Sequence, residues 1–129
     1  LYTADVDIYA PCAMGATLND NTVHKIKAKV IAGAANNQLA DENVHGAILQ
    51  ERGILYAPDF LINAGGIINV YAELAHYDKA EIMRKTENIY NTTLEIFDFA
   101  IANKTTPHKA ALTIAQNRIN QRKLENSKK

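Results

Sequence analysis

The chain has 129 residues, enough for one domain with a real hydrophobic core. Hydrophobic residues make up 47% and charged residues 22%, ordinary for a globular protein, and fourteen basic residues balance fourteen acidic ones. That neutrality offers no footprint for nucleic acid or an anionic membrane, no apolar run approaches the roughly 20 residues of a membrane span, and one cysteine, Cys12, allows no internal disulfide.

Leu1-Tyr2-Thr3-Ala4-Asp5 does not read as a signal peptide, so a cytoplasmic location is expected. Val6 to Ala10 is a strand candidate stopped by Pro11. The turn-rich run Asn19-Asp20-Asn21-Thr22 is expected to cap a short helix through His24 to Lys27. Val30-Ile31-Ala32 is a second strand, closed by Gly33, and its continuous apolar run suits a parallel sheet covered on both faces. From Asp41 to Arg52 the spacing puts Val44, Ile48 and Leu49 on one helical face, with Gly53 just past the end. Ile54-Leu55-Tyr56-Ala57 is the third strand, ended by Pro58-Asp59. The alternation predicts a parallel α/β sheet with right-handed crossovers.

The second half reads as helical. Gly65-Gly66 opens an apolar stretch through Ile67, Ile68, Val70, Tyr71 and Leu74. Asp78 with Glu81 resembles a capping box, and Ile82, Met83, Ile89, Tyr90, Leu94, Phe97 and Ile101 recur at helical spacing as a packing stripe. Thr106-Pro107 suits the start of a last helix, whose polar end from Gln121 to Lys129 is expected to fray. About three strands against four or five helices is an unbalanced set with two open sheet edges. A piece of a larger α/β domain, or a chain that completes its sheet by self-association, is expected.

Ligands of open parallel sheets bind beyond the carboxyl ends of the strands. Here those ends are small or amide residues: Ala10-Pro11-Cys12-Ala13, Gly33-Ala34-Ala35-Asn36-Asn37, and Asn63-Ala64-Gly65-Gly66. Small residues let a flat ring approach the backbone, and asparagine offers both a donor and an acceptor to a carboxamide. No strand end supplies a nucleophile triad, a carboxylate pair or a metal-ligand cluster. This is a binding face, not a complete active site.

Three longer runs carry a family resemblance: Ala10 to Ala13 followed by Leu18-Asn19, then Ala28 to Leu39, then Tyr56 to Val70. Over about Asp5 to Arg118 the chain resembles the leucine-dehydrogenase type of the glutamate, leucine, phenylalanine and valine dehydrogenase family. The resemblance implies a partial Rossmann-like parallel sheet with flanking helices and a helical C-terminal segment. Residues 1–77 would be the C-terminal half of an NAD-binding domain, and 78–129 helices packing on it and towards a substrate domain. It implies an enzyme that converts an L-amino acid, NAD and water into a 2-oxo acid, ammonia and NADH, and the open sheet edges lead us to expect a homo-oligomer.

By the same resemblance Cys12, Ala13, Asn36 and Asn63 lie along the nicotinamide end of NAD. Gly65 and Gly66 form the turn beside the reacting carbon of the substrate, and Ile67 and Val70 line its side-chain pocket. The G-x-G-x-x-G turn that cradles a pyrophosphate is not in this sequence, and the family's catalytic lysines and aspartate map onto no residue of it. Plainer readings stand beside these. Asn36 suits turn chemistry, Asn63 a helix cap, and Ile67 and Val70 a helix core. Cys12 is expected to be a small buried residue, and His24, His45, His76 and His108 ordinary surface or partly buried side chains with no metal. A rival function is a non-catalytic binding or assembly module of the same descent.

Overall fold

The computed structural model describes residues 1–128. Three two-residue strands, β1 (Ile8–Tyr9), β2 (Val30–Ile31) and β3 (Leu55–Tyr56), pair in parallel in the order β1-β2-β3. Ile8 stands opposite Val30 and Val30 opposite Leu55. The first strand is shorter than the Val6 to Ala10 expected, but its pairing continues as single bonds: Ala32 N–H donates to Tyr9 O and Ala35 N–H to Pro11 O. Leu18, Ile26, Ile31, Leu49, Ile54 and Tyr56 form the main core beneath the sheet.

No helix forms at His24 to Lys27; residues 20–25 are turns. The Asn19 and Thr22 side chains satisfy the local backbone themselves, Thr22 Oγ1 donating to Thr17 O at 2.5 Å, which competes with helix formation. Arg52 then takes the carbonyls of Val23 and Ile26 with its guanidinium, the latter at 2.7 Å.

The first helix, α1 (His45–Glu51), starts later than expected, because the Asp41 carboxylate accepts the Asn43 and Val44 N–H groups and holds a turn there. Leu49 is buried and Ile48 half-buried, but Val44 is exposed. Gly53 has φ +69°, with bonds from Gly53 N–H to Gln50 O and Ile54 N–H to Leu49 O, the expected glycine stop.

A short α2 (Asp59–Ile62) follows Pro58, and α3 (Gly65–Ala75) opens at the glycine pair. The last two helices are α4 (Lys79–Ala102) and α5 (Pro107–Asn126). Asp78 accepts the Glu81 N–H, but the other half of the capping box is missing, since Glu81 turns to Arg84 at 2.6 Å and Lys85 at 3.5 Å. Thr106 caps α5 through the Lys109 N–H. The polar end continues as helix to Asn126, with Arg122 3.3 Å from Glu125, and only Lys129 of the expected fray lies outside the described residues.

A second core joins α4 and α5 through Ile96, Ala100, Ala110, Ala111 and Ile114, with Leu61 of α2 against it. Of the predicted α4 stripe only Phe97 joins this core; Met83, Tyr90, Leu94 and Ile101 are exposed. Among the described residues no helix is long and apolar enough to cross a membrane.

Candidate functional site

The segments leaving the three strands converge at their carboxyl ends. Gly33 presses on Pro11 so closely that a Cβ would lie 2.2 Å from Pro11 O and 2.4 Å from Pro11 N. Cys12 Sγ accepts the Ala34 N–H at 3.4 Å. Contrary to expectation the thiol is exposed: its loop sits on the outer side of the sheet, with no strand beyond β1 among the described residues. Ala16 N–H donates to Asn37 O, and a parallel bridge from Leu18 to Leu39 extends this contact between the two loops.

A buried amide and a buried carboxylate hold the next pair of loops. Gln38 is fully buried and its Nε2 donates to Gly33 O at 2.6 Å and Ala35 O at 2.9 Å, winding the residues that carry Asn36. Its backbone N–H donates to Asp59 Oδ2 at 2.7 Å, while Asp59 Oδ1 accepts the Phe60 N–H at 2.7 Å. One carboxylate therefore satisfies both loops.

On that frame Asn63 Nδ2 donates to Asn36 Oδ1 at 2.5 Å and to Ala34 O at 3.3 Å. Asn63 does not cap α3 with its side chain: the N-cap is Ala64, with no side-chain bond. Among the described residues nothing pairs with Asn36 Nδ2 or Asn63 Oδ1. The two amides therefore present one free donor and one free acceptor, as a planar carboxamide requires. Gly66 faces open space, with nothing within 4 Å of a Cβ, so a ring can approach the start of α3.

The other predicted residues are placed apart from this pair. Cys12 and Ala13 line an apolar cavity of about 620 Å³ along β1, together with Ile8 and Met14. Ile67 lines a separate cavity of about 310 Å³ between α3 and α4, and Val70 is exposed beside it on α3. The structure thus joins Cys12, Asn36 and Asn63 through Ala34, and leaves Ala13, Ile67 and Val70 on neighbouring surfaces.

Sequence reading missed Gln38 and Asp59, and two histidines it treated as isolated. His45 is buried, with Nε2 3.0 Å from Asp20 Oδ1, and His108 is buried with Nε2 bonded to Glu42 Oε2. His108 also meets the Phe60 ring edge-to-face at 5.4 Å, and with Glu42, Asp59, Asn36 and Asn37 lines a cavity of about 470 Å³. Burial pushes the Tyr56 phenol well above its ordinary value, and the nearby Asp59 carboxylate reinforces this. Among the described residues no three His, Cys, Asp or Glu side chains are grouped to hold a metal ion.

The arrangement offers one amide donor and one amide acceptor beside an open glycine, and among the described residues no base or nucleophile is bonded to the Asn36–Asn63 pair. The model of the Glutamate/Leucine/Phenylalanine/Valine dehydrogenase family matches residues 1–126. The chain is 48% identical over 128 residues to an L-tryptophan dehydrogenase of Nostoc punctiforme, covering 99% of this chain and 36% of that protein. The crystal structure of L-tryptophan dehydrogenase from Nostoc punctiforme superposes with a TM-score of 0.89 at 49% identity, over 93% of this chain and 36% of that one. A leucine dehydrogenase of Thermoactinomyces intermedius is 48% identical over 119 residues, 92% of this chain and 32% of that protein. The chain thus spans about a third of the length of the curated relatives it matches.

Proposed function

The chain belongs to the glutamate/leucine/phenylalanine/valine dehydrogenase family, and we propose on that footing that it forms the nicotinamide side of an NAD-dependent L-amino acid dehydrogenase. The reaction is oxidative deamination of an apolar L-amino acid, with leucine or another branched-chain side chain as the substrate. The observation that carries this reading is the Asn63–Asn36 hydrogen bond of 2.5 Å, set between a glycine-opened helix and two small-residue loops.

The residues present fit the nicotinamide half of NAD. The unpaired Asn36 and Asn63 amide atoms would hold its carboxamide, the Cys12–Ala13 loop would lie along its ring, and the Gly65–Gly66 turn would leave room for the substrate carbon on its open Gly66 side. Bound there, NAD supplies the hydride acceptor. The chain's own work is positioning, bringing the two reacting centres together while Ile67 and Val70 exclude water from an aliphatic side chain. The proton-transfer groups and the pyrophosphate cradle would come from sequence beyond these 129 residues. In this reading 1–77 completes a Rossmann domain, and 78–129 packs back on it and towards a substrate domain. The enzyme is a cytoplasmic homo-oligomer, with exposed apolar residues on α3, α4 and α5 covered by other chain.

An assay of the full-length protein with L-leucine, L-valine, L-glutamate and NAD tests the proposal. Turnover of leucine above glutamate is expected; glutamate preference, or no NAD reduction with any of them, would sink it. The rival reading, a non-catalytic module, predicts no turnover, and no observation in the structure favours it.

A further inference from the structure

Asn36 and His108 line one cavity, the space of about 470 Å³ that Glu42, Asp59 and Phe60 share with them. Beside so large a gap in the packing, discrete contacts carry more of the placing of a loop. His108 supplies two of them.

It is the second residue of α5, after the Thr106 cap and Pro107. Its Nε2 donates to Glu42 Oε2, six residues along the chain from Asn36. The Glu42 carboxylate is thereby held at the positive end of a 20-residue helix, where an anion is favoured. The same ring meets Phe60 edge-to-face, with centroids 5.4 Å apart. Phe60 and Asn63 are three residues apart along the single turn of α2, hence on one face of it. One side chain of α5 therefore touches both arms, the one after β2 that carries Asn36 and the one that carries Asn63.

Stability alone does not account for a histidine here. His108 is 7% exposed, and its Nδ1 has no partner among the described residues. A buried polar atom left unpaired costs stability, and a phenyl ring of similar shape avoids that cost. A phenyl ring cannot, however, bond to Glu42 while it packs on Phe60.

We propose that His108 is a positioning residue: tied to Glu42 and packed on Phe60, it sets the relative placement of the Asn36 and Asn63 amides, and so how well they hold a nicotinamide. The inference rests on the dehydrogenase reading above. It makes the first turn of α5 part of the cofactor frame, with no contact of its own to the cofactor.

The test is calorimetric titration of the full-length protein with NADH and with ADP-ribose, which is the cofactor without its nicotinamide. The parent, His108→Phe, Glu42→Ala and the double variant are compared. Each single change should weaken NADH about 3-fold to 10-fold, the worth of one hydrogen bond, and leave ADP-ribose unchanged. The double variant should weaken it no further, because both changes remove the same tie. The Glu42 side chain is 61% exposed, so Glu42→Ala decides the matter even if His108→Phe fails to fold. Unchanged NADH binding, equal losses on both ligands, or additive losses would overturn the positioning role and leave the dehydrogenase reading standing. A parent protein that binds no NADH would remove both.

Discussion

The backbone N–H of Gln38 and the carboxylate of Asp59 lie 2.7 Å apart, and that single bond joins the loop after β2 to the start of α2. Asn36 sits two residues before Gln38 and Asn63 four residues after Asp59, so the Asn36–Asn63 bond closes the same frame from above.

Asp59→Ala removes the acceptor of two amides at once, Gln38 N–H and Phe60 N–H. Each buried donor left without a partner costs about 1–3 kcal/mol. The urea midpoint should fall accordingly, and Asp59→Asn, which keeps one carbonyl oxygen, should fall less. Equal midpoints for Asp59→Ala and the parent chain would show that the carboxylate does not hold the two loops.

Gly33 and Gly66 separate fold from ligand. Gly33→Ala drives a methyl to 2.2 Å from Pro11 O, a backbone atom that cannot step aside, so a loss of about 1–3 kcal/mol or more is expected in thermal unfolding. At Gly66 a Cβ meets nothing within 4 Å, and alanine is the better helix residue by about 1 kcal/mol. Gly66→Ala should therefore be as stable as the parent or slightly more so, while lowering kcat/KM of the full-length enzyme. Full activity in Gly66→Ala would mean that no ligand approaches that face.

Much of the fold is legible because its punctuation is local. Pro11, Gly33 and Pro58 close the strand segments, and Gly53, Asp78 and Thr106 sit at the helix ends where their chemistry belongs. Part of what the sequence does not announce depends on partners far along the chain. The helix expected at His24 to Lys27 gives way to turns whose carbonyls bond to Arg52, 26 residues beyond Ile26. For Asn63 the sequence also allows a cap on its own helix, and its side chain bonds instead to Asn36, 27 residues away. Gln38 and Asp59 stand 21 residues apart, and neither alone signals a bond. The same distance effect hid the histidines, since Glu42 and His108 are 66 residues apart.

Tyr56 gives the chain an alkaline limit. Its phenol is buried, and its Oη has no hydrogen-bond partner among the described residues. Burial first, and the Asp59 carboxylate second, raise its pKa above the value of about 10 that it has when unfolded. A raised pKa means that the folded chain keeps the proton longer. The stabilisation is complete below pH of about 10 and is lost as pH climbs from there towards the folded value. Tyr56→Phe removes both the titration and the unpaired hydroxyl. Stability at pH 7 should be equal or higher, and the decline between pH of about 10 and 11 shallower than in the parent chain. A steeper decline, or a large loss at pH 7, would mean that the hydroxyl is bonded after all.

The last prediction concerns what this chain holds without the rest of a dehydrogenase. The Asn36–Asn63 pair offers one donor and one acceptor, and no phosphate-binding glycine turn occurs in the sequence. The pyrophosphate carries the charge of NAD, and backbone N–H groups at a glycine-rich helix start are the usual means of holding it. Titration calorimetry of NAD into the 129-residue chain should therefore give no saturable heat at millimolar ligand, while the full-length protein binds. Saturable binding by the short chain would require a phosphate site within these residues or across two copies of them. The division of labour between a nicotinamide half and a phosphate half would then have to be abandoned.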